Sequence, residues 1–297
     1  MSSNTSDDEP KYPCRTSVDS PIVSIQGVKG SFHHITGELL FGPGITYLER
    51  DTFDQVFDDC ASGRAQYALV AIENSIAGSL LQNYDLLAKN DLHIIGEALL
   101  RIEHHLIAHP GASLDSIKQV WSHPMAINQS QAFLDQLGIE VIEKRDTAGA
   151  VKYIKDEGLK DMAAIASDRS AELYGMNILR PNIETDPHNY TRFLLMSRHQ
   201  SIETAEDLSY KTTLHLSVLE EPGSLAKLLQ LIADKEINMT MIESRPQLGK
   251  PWQYDFFIDL QVRIDDPDND AFIDEIRERT LFLEILGSYP CLGYLKT

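Results

Sequence analysis

Thr191, Arg192 and Phe193 form a polar and aromatic group at the start of an apolar stretch, in the segment NYTRFLLMSR of residues 189–198. A guanidinium beside a threonine hydroxyl can bind a carboxylate through two parallel hydrogen bonds. The apolar residues that follow predict a buried strand, so these side chains are expected at its mouth. A lone surface arginine is the other interpretation of Arg192, and we favour the functional one.

The segment IENSIAGS places Glu73 and Asn74 directly after the apolar run YALVAI. This position indicates the tip of a strand rather than a solvated helix face. A carboxylate and an amide at a strand tip can assist proton transfer and bind a ligand through hydrogen bonds. A purely structural turn explains the segment equally well.

Small polar side chains occupy the predicted junctions between strands and helices. They are Ser31 in GVKGSF, Asn74 and Ser75 in IENS, Ser122 in WSHP, Thr147 in RDTAGA and Ser167 in ASDRS. Each one alone is explained as a helix N-cap, which stabilises a helix by about 1 kcal/mol. Helix N-termini at the carboxyl ends of strands tend, however, to open on one crevice and to attract anions. Together they predict a site for a small anionic ligand.

The overall composition limits the partners of the chain. With 45 acidic and 26 basic residues the net charge is −19, which disfavours a broad surface for nucleic acid or for an anionic membrane. Cys14, Cys60 and Cys291 are widely spaced and odd in number, and they predict free thiols in a reducing cytoplasm. No apolar run reaches the ~18 residues that span a bilayer, and the N-terminus resembles neither a signal peptide nor a transit peptide.

Neither a metal nor a nucleotide cofactor is expected. The histidines that suggest a metal site are His33, His34, His104, His105, His109 and His123. Adjacent histidines on a strand point to opposite faces, and no HExxH motif occurs. GVKG matches neither a Walker loop nor GxGxxG, so a nucleotide site is disfavoured.

Two domains are predicted from the spacing of the apolar residues along the chain. Short apolar runs alternate with helical patterns over residues 21–198, which indicates an α/β domain, and HPMAINQSQAFLDQLG predicts a helix that ends at Gly138. The charged stretch RHQSIETAEDLSYK marks a linker at residues 199–210. Residues 211–297 follow the order βαββαβ of a ferredoxin-like domain, which commonly pairs with a copy of itself. Residues 1–20 are expected to be a disordered tail.

The segments described above occur in an order that resembles prephenate dehydratases. The catalytic motifs of that family are similar to GVKGSF, ALVAIENSIAGS, VWSHP, DTAGA, AAIASDRSAELYGMNIL and NYTRFLLMSR, one after another. PGSLAKLL and NMTMIESRP resemble the phenylalanine-binding motifs of the family's regulatory ACT domain, so the resemblance covers about residues 21–297. It implies two α/β subdomains that close over a cleft, as in a type II periplasmic binding protein, followed by a βαββαβ ACT domain.

The resemblance also implies a reaction, in which prephenate loses carbon dioxide and its ring hydroxyl to give phenylpyruvate. Thr191 is then the donor at the departing hydroxyl, assisted by water or by Glu73. Arg192 is expected to hold the pyruvyl carboxylate, while Phe193 packs beneath the threonine. The further residues expected around the substrate are Asn74, Ser122 and Gln129, which match pocket positions of the family, and Ser31, Ser75 and Thr147 at helix starts.

For the ACT domain, the resemblance implies that phenylalanine binds as a feedback inhibitor between two chains of a homodimer or homotetramer. The residues expected to bind it are Gly223, Ser224, Leu225, Asn238, Glu243, Ser244, Arg245 and Pro246. Helix N–H groups and backbone carbonyls would meet its carboxylate and ammonium groups.

The sequence departs from the family's pattern at a few positions. Val28 stands where the family usually has proline, His33 where it commonly has serine, and Met125 where it commonly has glutamine. Ser224 replaces a small residue such as alanine in the ACT motif. Changes at His33 and Met125 could alter the polarity of the pocket, and with it the preference for a substrate.

Three other functions were weighed against this one. Arogenate dehydratase performs the same chemistry on the transaminated substrate. A non-catalytic amino-acid sensor with the same two domains would not need the hydroxyl of Thr191. A transcriptional regulator is disfavoured because the sequence has neither a helix-turn-helix pattern nor a basic segment.

Overall fold

The apolar runs and amphipathic stretches of the sequence fold into three α/β units in the computed structural model, which describes residues 12–15, 20–199, 203–204, 208–247 and 249–295. Two of these units are lobes built from the first two thirds of the chain, and the third is C-terminal. Within the described ranges, no helix is both long and apolar enough to cross a lipid bilayer.

The first lobe contains a sheet of buried apolar strands with helices on both faces. One face packs around Leu40, Leu69 and Phe193, and the other around Phe57, Tyr84 and Met196. Its elements up to residue 101 are β1 (Cys14–Arg15), β2 (Ile22–Gln26), α1 (Phe32–Phe41), β3 (Thr46–Arg50), α2 (Phe53–Ala61), β4 (Tyr67–Asn74), β5 (Gly78–Ser79), α3 (Leu81–Leu87) and β6 (His93–Arg101).

The second lobe is inserted into the first and has its own five-stranded sheet, in the order β11-β7-β10-β8-β9. Its elements are β7 (His105–Ala108), β8 (Gln119–Ser122), α4 (Pro124–Gln129), α5 (Gln131–Leu137), β9 (Glu140–Glu143), α6 (Thr147–Asp156), β10 (Met162–Ala166), α7 (Asp168–Tyr174) and β11 (Asn177–Arg180). The helix expected over HPMAINQSQAFLDQLG is interrupted at Ser130, where φ is −111° and ψ is 14°, and it ends at Gly138 as predicted.

The chain returns to the first lobe as β12 (Tyr190–Ser197), which lies between β4 and β6 and runs antiparallel to both. The lobes are therefore joined by residues 102–104 and 181–189, and the cleft lies between them. This arrangement confirms the two-subdomain fold class that the family resemblance implies. It also fixes the position of the TRF segment, because β12 starts where the second connection ends.

A small sheet joins the expected tail to the expected linker. Cys14–Arg15 pairs antiparallel with β13 (Glu203–Thr204), so the prediction of a disordered tail is wrong for this pair of residues. The other parts of those two predictions, residues 1–11, 16–19, 200–202 and 205–207, lie outside the described residues.

The C-terminal unit has the predicted βαββαβ order. Its elements are β14 (Tyr210–Val218), α8 (Ser224–Asp234), β15 (Met239–Pro246), β16 (Tyr254–Leu260), α9 (Asp270–Arg277) and β17 (Thr280–Leu295). The four strands lie in the order β15-β16-β14-β17, and Leu216, Leu228, Ile258 and Ile276 pack between this sheet and its helices. The ferredoxin-like prediction is confirmed.

The 16-residue strand β17 joins the C-terminal sheet to the sheet of the first lobe. Its first part pairs antiparallel with β14, and Cys291–Leu295 pairs in parallel with β6. Gly287 permits this close approach, since a Cβ atom there would collide with the carbonyl group of Ile94. Only β6 separates β12 from the C-terminal domain, and the sequence analysis did not predict this continuity.

Candidate active site

A cavity of about 520 Å³ lies between the two lobes. The starts of α1, α2, α4 and α6 all reach it, through Ser31, Phe53, His123 and Thr147. The free N–H groups at these helix starts direct partial positive charge into the cavity. The structure therefore brings together the helix N-termini that the sequence predicts at one crevice.

Thr191 and Phe193 enter the cavity from β12, and Asn74 enters it from the neighbouring β4. Alternation along a strand places Thr191 and Phe193 on one face of the sheet. On β4 the register pairs Thr191 with Asn74 and Phe193 with Ala71, and Ile72 forms a bulge between them. Because of this bulge, Ala71 and Asn74 both face the cavity although they are three residues apart.

The amide of Asn74 determines how the hydroxyl of Thr191 is oriented. Asn74 Oδ1 accepts hydrogen bonds from the backbone N–H groups of Ile76, at 3.1 Å, and Ala77, at 3.0 Å, which fixes the direction of its Nδ2 group. That Nδ2 group lies 3.0 Å from Thr191 Oγ1 and 2.8 Å from Asn189 Oδ1. Since Thr191 Oγ1 is the acceptor in this bond, its own hydrogen is free to donate into the cavity.

Gln129 connects this network across the cleft, from α4 of the second lobe. Its Nε2 group donates to Asn74 Oδ1 at 3.2 Å, and its Oε1 atom accepts from Asn189 Nδ2 at 3.0 Å. The same Oε1 atom lies 2.9 Å from His104 Nε2, so His104 carries its proton on Nε2. Burial lowers the pKa of His104, which keeps the ring neutral.

His33 and His123 add two more neutral imidazole rings to the lining. His33 Nε2 accepts the backbone N–H of Ala71 at 3.2 Å, so its proton is on Nδ1, and burial lowers its pKa to about 3. His123 Nδ1 caps α4 by accepting the N–H of Met125 at 3.1 Å, and burial lowers its pKa as well. From the sequence, His104 and His123 were considered only as metal ligands and His33 also as a departure from the family pattern, so their place in this cavity was not predicted.

Charged side chains lie at the mouth of the cavity. Arg145, before α6 in the second lobe, contacts Asp51 of the first lobe at 2.9 Å between Nη1 and Oδ1. Asp54 and Asp146 also line the cavity, and within the described part of the chain Arg145 is its only lining arginine or lysine. The sequence analysis did not identify Arg145; its position two residues before the helix-starting Thr147 is the signal that could have found it.

Arg192 does not reach the cavity, and its predicted role in holding a substrate carboxylate is wrong for this structure. Strand alternation directs its side chain to the opposite face of the sheet, where it is 8 % exposed. There the guanidinium contacts Glu97 at 2.7 Å, Asp259 at 2.6 Å and the hydroxyl of Tyr289 at 3.1 Å. A guanidinium with these partners cannot also bind a ligand on the other face.

Three other predicted side chains lie outside the cavity lining. Glu73 pairs with Arg192 on β12 and is on the same side of the sheet, which removes it as an assistant to Thr191. Ser75 Oγ donates to the carbonyl of His188 at 2.8 Å and accepts from Tyr190 N–H at 2.9 Å, so it holds the turn. Ser122 is fully buried, and its hydroxyl donates to the carbonyl of Ile165 at 2.6 Å.

The residues expected to bind phenylalanine are divided between two places. Gly223, Ser224 and Leu225 line a groove of about 440 Å³ at the start of α8, together with Tyr254 and Phe256 of β16. Asn238 lies just before the start of β15 and donates to Gln261 at 2.7 Å.

On β15, residues alternate between inward and outward positions. Ser244 and Pro246 are exposed, whereas Glu243 and Arg245 are partly buried. Arg245 forms a bidentate ion pair with Asp85 of α3, at 2.8 and 2.7 Å. Its guanidinium therefore binds the first lobe, in place of the ligand that the sequence predicts.

Comparison with known families identifies both parts of the chain. The family model described as prephenate dehydratase matches residues 23–201, and the model described as ACT domain matches residues 212–279. Arogenate dehydratase/prephenate dehydratase 2 of Arabidopsis thaliana is 36 % identical over 277 residues, which cover 90 % of this chain and 72 % of the relative. Arogenate dehydratase 2 of Petunia hybrida is 36 % identical over 90 % of this chain and 71 % of its own length.

Solved structures agree with these matches. The prephenate dehydratase of Arthrobacter aurescens in complex with L-Phe is 28 % identical, with a TM-score of 0.81 over 91 % of this chain and 90 % of that one. GqqA, described as a novel type of quorum quenching acylase, is 34 % identical, with a TM-score of 0.82 over 91 % of this chain and 98 % of that one. On its sequence and its fold, this chain belongs to the prephenate dehydratase family and carries an ACT domain.

Proposed function

We propose that the protein converts prephenate into phenylpyruvate. The observation that carries this proposal is the hydroxyl of Thr191, which is held by Asn74 and free to donate into a cavity between two lobes. The ring carboxylate leaves as carbon dioxide, and its electron pair moves into the ring and expels the ring hydroxyl. That hydroxyl takes one proton and leaves as water. Because the product ring is aromatic, the protein has mainly to orient the substrate and help the hydroxide depart.

Thr191 is the donor at the departing hydroxyl. A threonine is too weak an acid to supply the proton alone, and Glu73 does not line the cavity, so a water molecule relays the proton from solvent. The N–H groups of the neutral rings His33 and His123 provide further donors that carry no charge. This lining suits a leaving hydroxide and applies no strong clamp to the carboxylate that must depart as neutral gas.

The pyruvyl carboxylate requires a partner other than Arg192. Arg145 is the candidate, because its side chain is 55 % exposed and can turn from Asp51 towards the cavity that it already lines. Thr147 follows at the start of α6, where free backbone N–H groups favour an anion. We therefore assign the carboxylate end of the substrate to the start of α6.

Arogenate is the second candidate substrate, and the charge of the lining favours it. Asp51, Asp54 and Asp146 outnumber Arg145, and an ammonium group on the substrate would reduce the repulsion that a dianion experiences. The plant relatives named above include arogenate dehydratases. The two substrates share the chemistry at Thr191 and differ only in the side chain.

We propose further that phenylalanine inhibits the enzyme from the ACT domain. The groove at the start of α8 offers free N–H groups for its carboxylate and the rings of Tyr254 and Phe256 for its side chain. The exposed edge of β15 favours pairing with a second copy, as a homodimer or homotetramer. Cys14, Cys60 and Cys291 are free, which supports a cytoplasmic location.

The test is to incubate purified protein with prephenate and, separately, with arogenate. Ultraviolet absorbance detects phenylpyruvate, and amino-acid analysis detects phenylalanine. The proposal expects turnover of prephenate with a kcat/KM above that for arogenate, although the acidic residues of the lining act in the opposite direction. A reversed ratio would identify an arogenate dehydratase, and turnover of neither substrate would leave an amino-acid sensor as the better assignment.

A further inference from the structure

Four charged side chains meet inside the molecule where the catalytic domain contacts the ACT domain. We call them the junction cluster: Glu97 of β6, Arg192 of β12, Lys211 of β14 and Asp259 of β16. Arg192 contacts Glu97 at 2.7 Å and Asp259 at 2.6 Å, and Lys211 contacts Glu97 at 2.6 Å. Two positive charges thus face two negative ones, away from most solvent.

Hydroxyl groups from the ACT domain complete the junction cluster. Tyr289 OH lies 3.1 Å from Arg192 Nη2 and 2.7 Å from Thr213 Oγ1, and Thr213 donates to Asp259 Oδ1 at 2.6 Å. Burial alone would lower the pKa of Arg192, but Tyr289, Asp259 and Glu97 hold it well above its usual range. The guanidinium is therefore charged and fixed by groups of the other domain.

The position of Arg192 in the chain connects the junction cluster to the candidate active site. Arg192 follows Thr191 directly on β12, and the two side chains point to opposite faces of the same sheet. A displacement of the guanidinium that its side-chain torsions do not absorb is transmitted to the backbone that carries the Thr191 hydroxyl. A shift of about 1 Å in a catalytic group can reduce the rate by about a hundredfold.

We infer that Arg192 is a positioning residue through which Asp259 of the ACT domain sets the placement of Thr191. This inference rests on the proposed function, because it takes Thr191 as the catalytic donor. Arg192 then acts at the contact between the catalytic domain and the ACT domain and does not bind the substrate.

The ACT groove is connected to the junction cluster by one strand. Tyr254 and Phe256 line the groove, and Asp259 lies three residues after Phe256 on the same β16. A ligand that shifts β16 would thus move Asp259 relative to Arg192. A further ion pair between the domains, Arg245 with Asp85, joins β15 to α3 and does not include β12, so it has no such direct link to Thr191.

Asp259→Asn and Asp59→Asn form a matched pair of variants that tests the inference. Both carboxylates are buried and form ion pairs with arginine. Asp259 contacts Arg192 of the catalytic domain, whereas Asp59 contacts Arg50 at 2.5 Å and Arg64 at 2.7 Å within the first lobe. Prephenate turnover and the response to phenylalanine are measured for both folded proteins. We expect Asp259→Asn to lower kcat by about tenfold to a hundredfold, to leave KM within about threefold and to weaken phenylalanine inhibition. Asp59→Asn should change each quantity by less than about threefold.

Tyr289→Phe serves as a second variant that removes a single hydroxyl from the cluster. It should lower kcat in the same direction by a smaller factor, so the inference stays testable if Asp259→Asn does not fold. Hydrogen exchange of the peptide that covers residues 190–197 gives a readout that does not need activity. Exchange there should rise in Tyr289→Phe and Asp259→Asn and stay at the wild-type level in Asp59→Asn.

Unchanged kcat and unchanged exchange in the folded cluster variants would overturn the inference. A kcat that falls equally in Asp59→Asn would also overturn it, because the loss would then come from general destabilisation. If the wild-type protein turns over neither prephenate nor arogenate, the proposed function fails, and exchange at residues 190–197 with and without phenylalanine still decides whether the ACT domain acts on β12.

Discussion

The two faces of β12 use different interactions. On the cavity face, Thr191 is surrounded by neutral groups, namely the amides of Asn74 and Gln129 and the rings of His33 and His104. On the opposite face, Arg192 is held by full charges. Neutral donors can stabilise a charge that develops during the reaction without binding the ground state of the substrate strongly. Buried ion pairs, in contrast, fix geometry and are costly to break. On the proposed function, the two faces would have different roles: one carries the catalytic hydroxyl and the other the arginine that positions it.

Replacing Arg192 by methionine should have the largest effect on stability. The change leaves Glu97 and Asp259 buried with too few positive partners, and the free energy of unfolding should fall by about 3–5 kcal/mol. Urea denaturation of the variant measures this loss. Arg64→Met is the control, since that arginine also binds a buried carboxylate but is 58 % exposed, and it should cost less than about 1 kcal/mol. Equal losses in the two variants would contradict the claim that the ion pairs of Arg192 are costly to break because they are buried.

Replacing Thr191 by alanine should have the largest effect on the reaction. Loss of the positioned donor should reduce kcat by about 10²–10³, while phenylalanine binding at the ACT domain stays intact. Phenylpyruvate absorbance and titration calorimetry measure the two quantities. Thr191→Ser keeps the hydroxyl and should retain most of the activity. A fully active alanine variant would remove Thr191 from the mechanism.

His33 should make stability depend on pH. Burial lowers its pKa from 6.5 to about 3, so between these values the unfolded chain binds a proton that the folded chain does not. The contribution is complete above pH 6.5 and is lost as the pH falls, at about 1.4 kcal/mol per unit. Between pH 6.5 and pH 5.0 the wild type should lose about 1.6 kcal/mol more than His33→Asn, because the unfolded histidine is already half protonated at pH 6.5.

Urea unfolding at both pH values measures this difference. His188→Asn is the control, because His188 is exposed and lies outside the cavity lining. A His33→Asn variant with the same pH dependence as the wild type would show that His33 is charged in the folded protein.

Arg145 should have the smallest effect of these residues, and on KM rather than kcat. Arg145→Ala removes one charge-assisted bond to the substrate carboxylate, so KM should rise by about tenfold, or about 1.4 kcal/mol. Arg180→Ala is the control, because Arg180 is an exposed arginine of the same lobe that does not line the cavity. Steady-state kinetics at low ionic strength distinguish the two. An unchanged KM would assign the carboxylate to the helix N-termini alone.

The spacing of the apolar residues was sufficient to predict an α/β domain, the ferredoxin-like order and the meeting of helix starts at one crevice, and the family resemblance supplied the two-lobed arrangement. The sequence also predicted that Thr191, Phe193, Asn74, Ser31, Thr147 and Gln129 share one site, and the structure places these residues together. The meeting of the helix starts could be predicted physically, because apolar periodicity fixes the elements and the carboxyl ends of the strands fix where their loops meet; Gln129 came from the family resemblance alone.

The errors at Arg192 and Glu73 come from treating a motif as a unit. Alternation along β12 assigns Thr191 and Arg192 to opposite faces, and this rule was available from the sequence. The bulge at Ile72, which turns Asn74 towards Thr191, and the buried contacts of Ser122 depend on tertiary packing. The neutral state of His33 depends on a backbone N–H that lies 38 positions away in the chain.

The long β17 also determines what each domain would be alone. Leu292 and Leu295 pack into the same core as Leu195 and Phe193, and Cys291–Leu295 covers the hydrogen-bonding edge of β6. A catalytic fragment without these residues would expose both the unpaired edge of β6 and an apolar surface beside it. Exposed strand edges and apolar patches promote aggregation. The C-terminal domain thus also covers apolar surface of the catalytic domain. Its removal is therefore expected to cause aggregation of the catalytic domain.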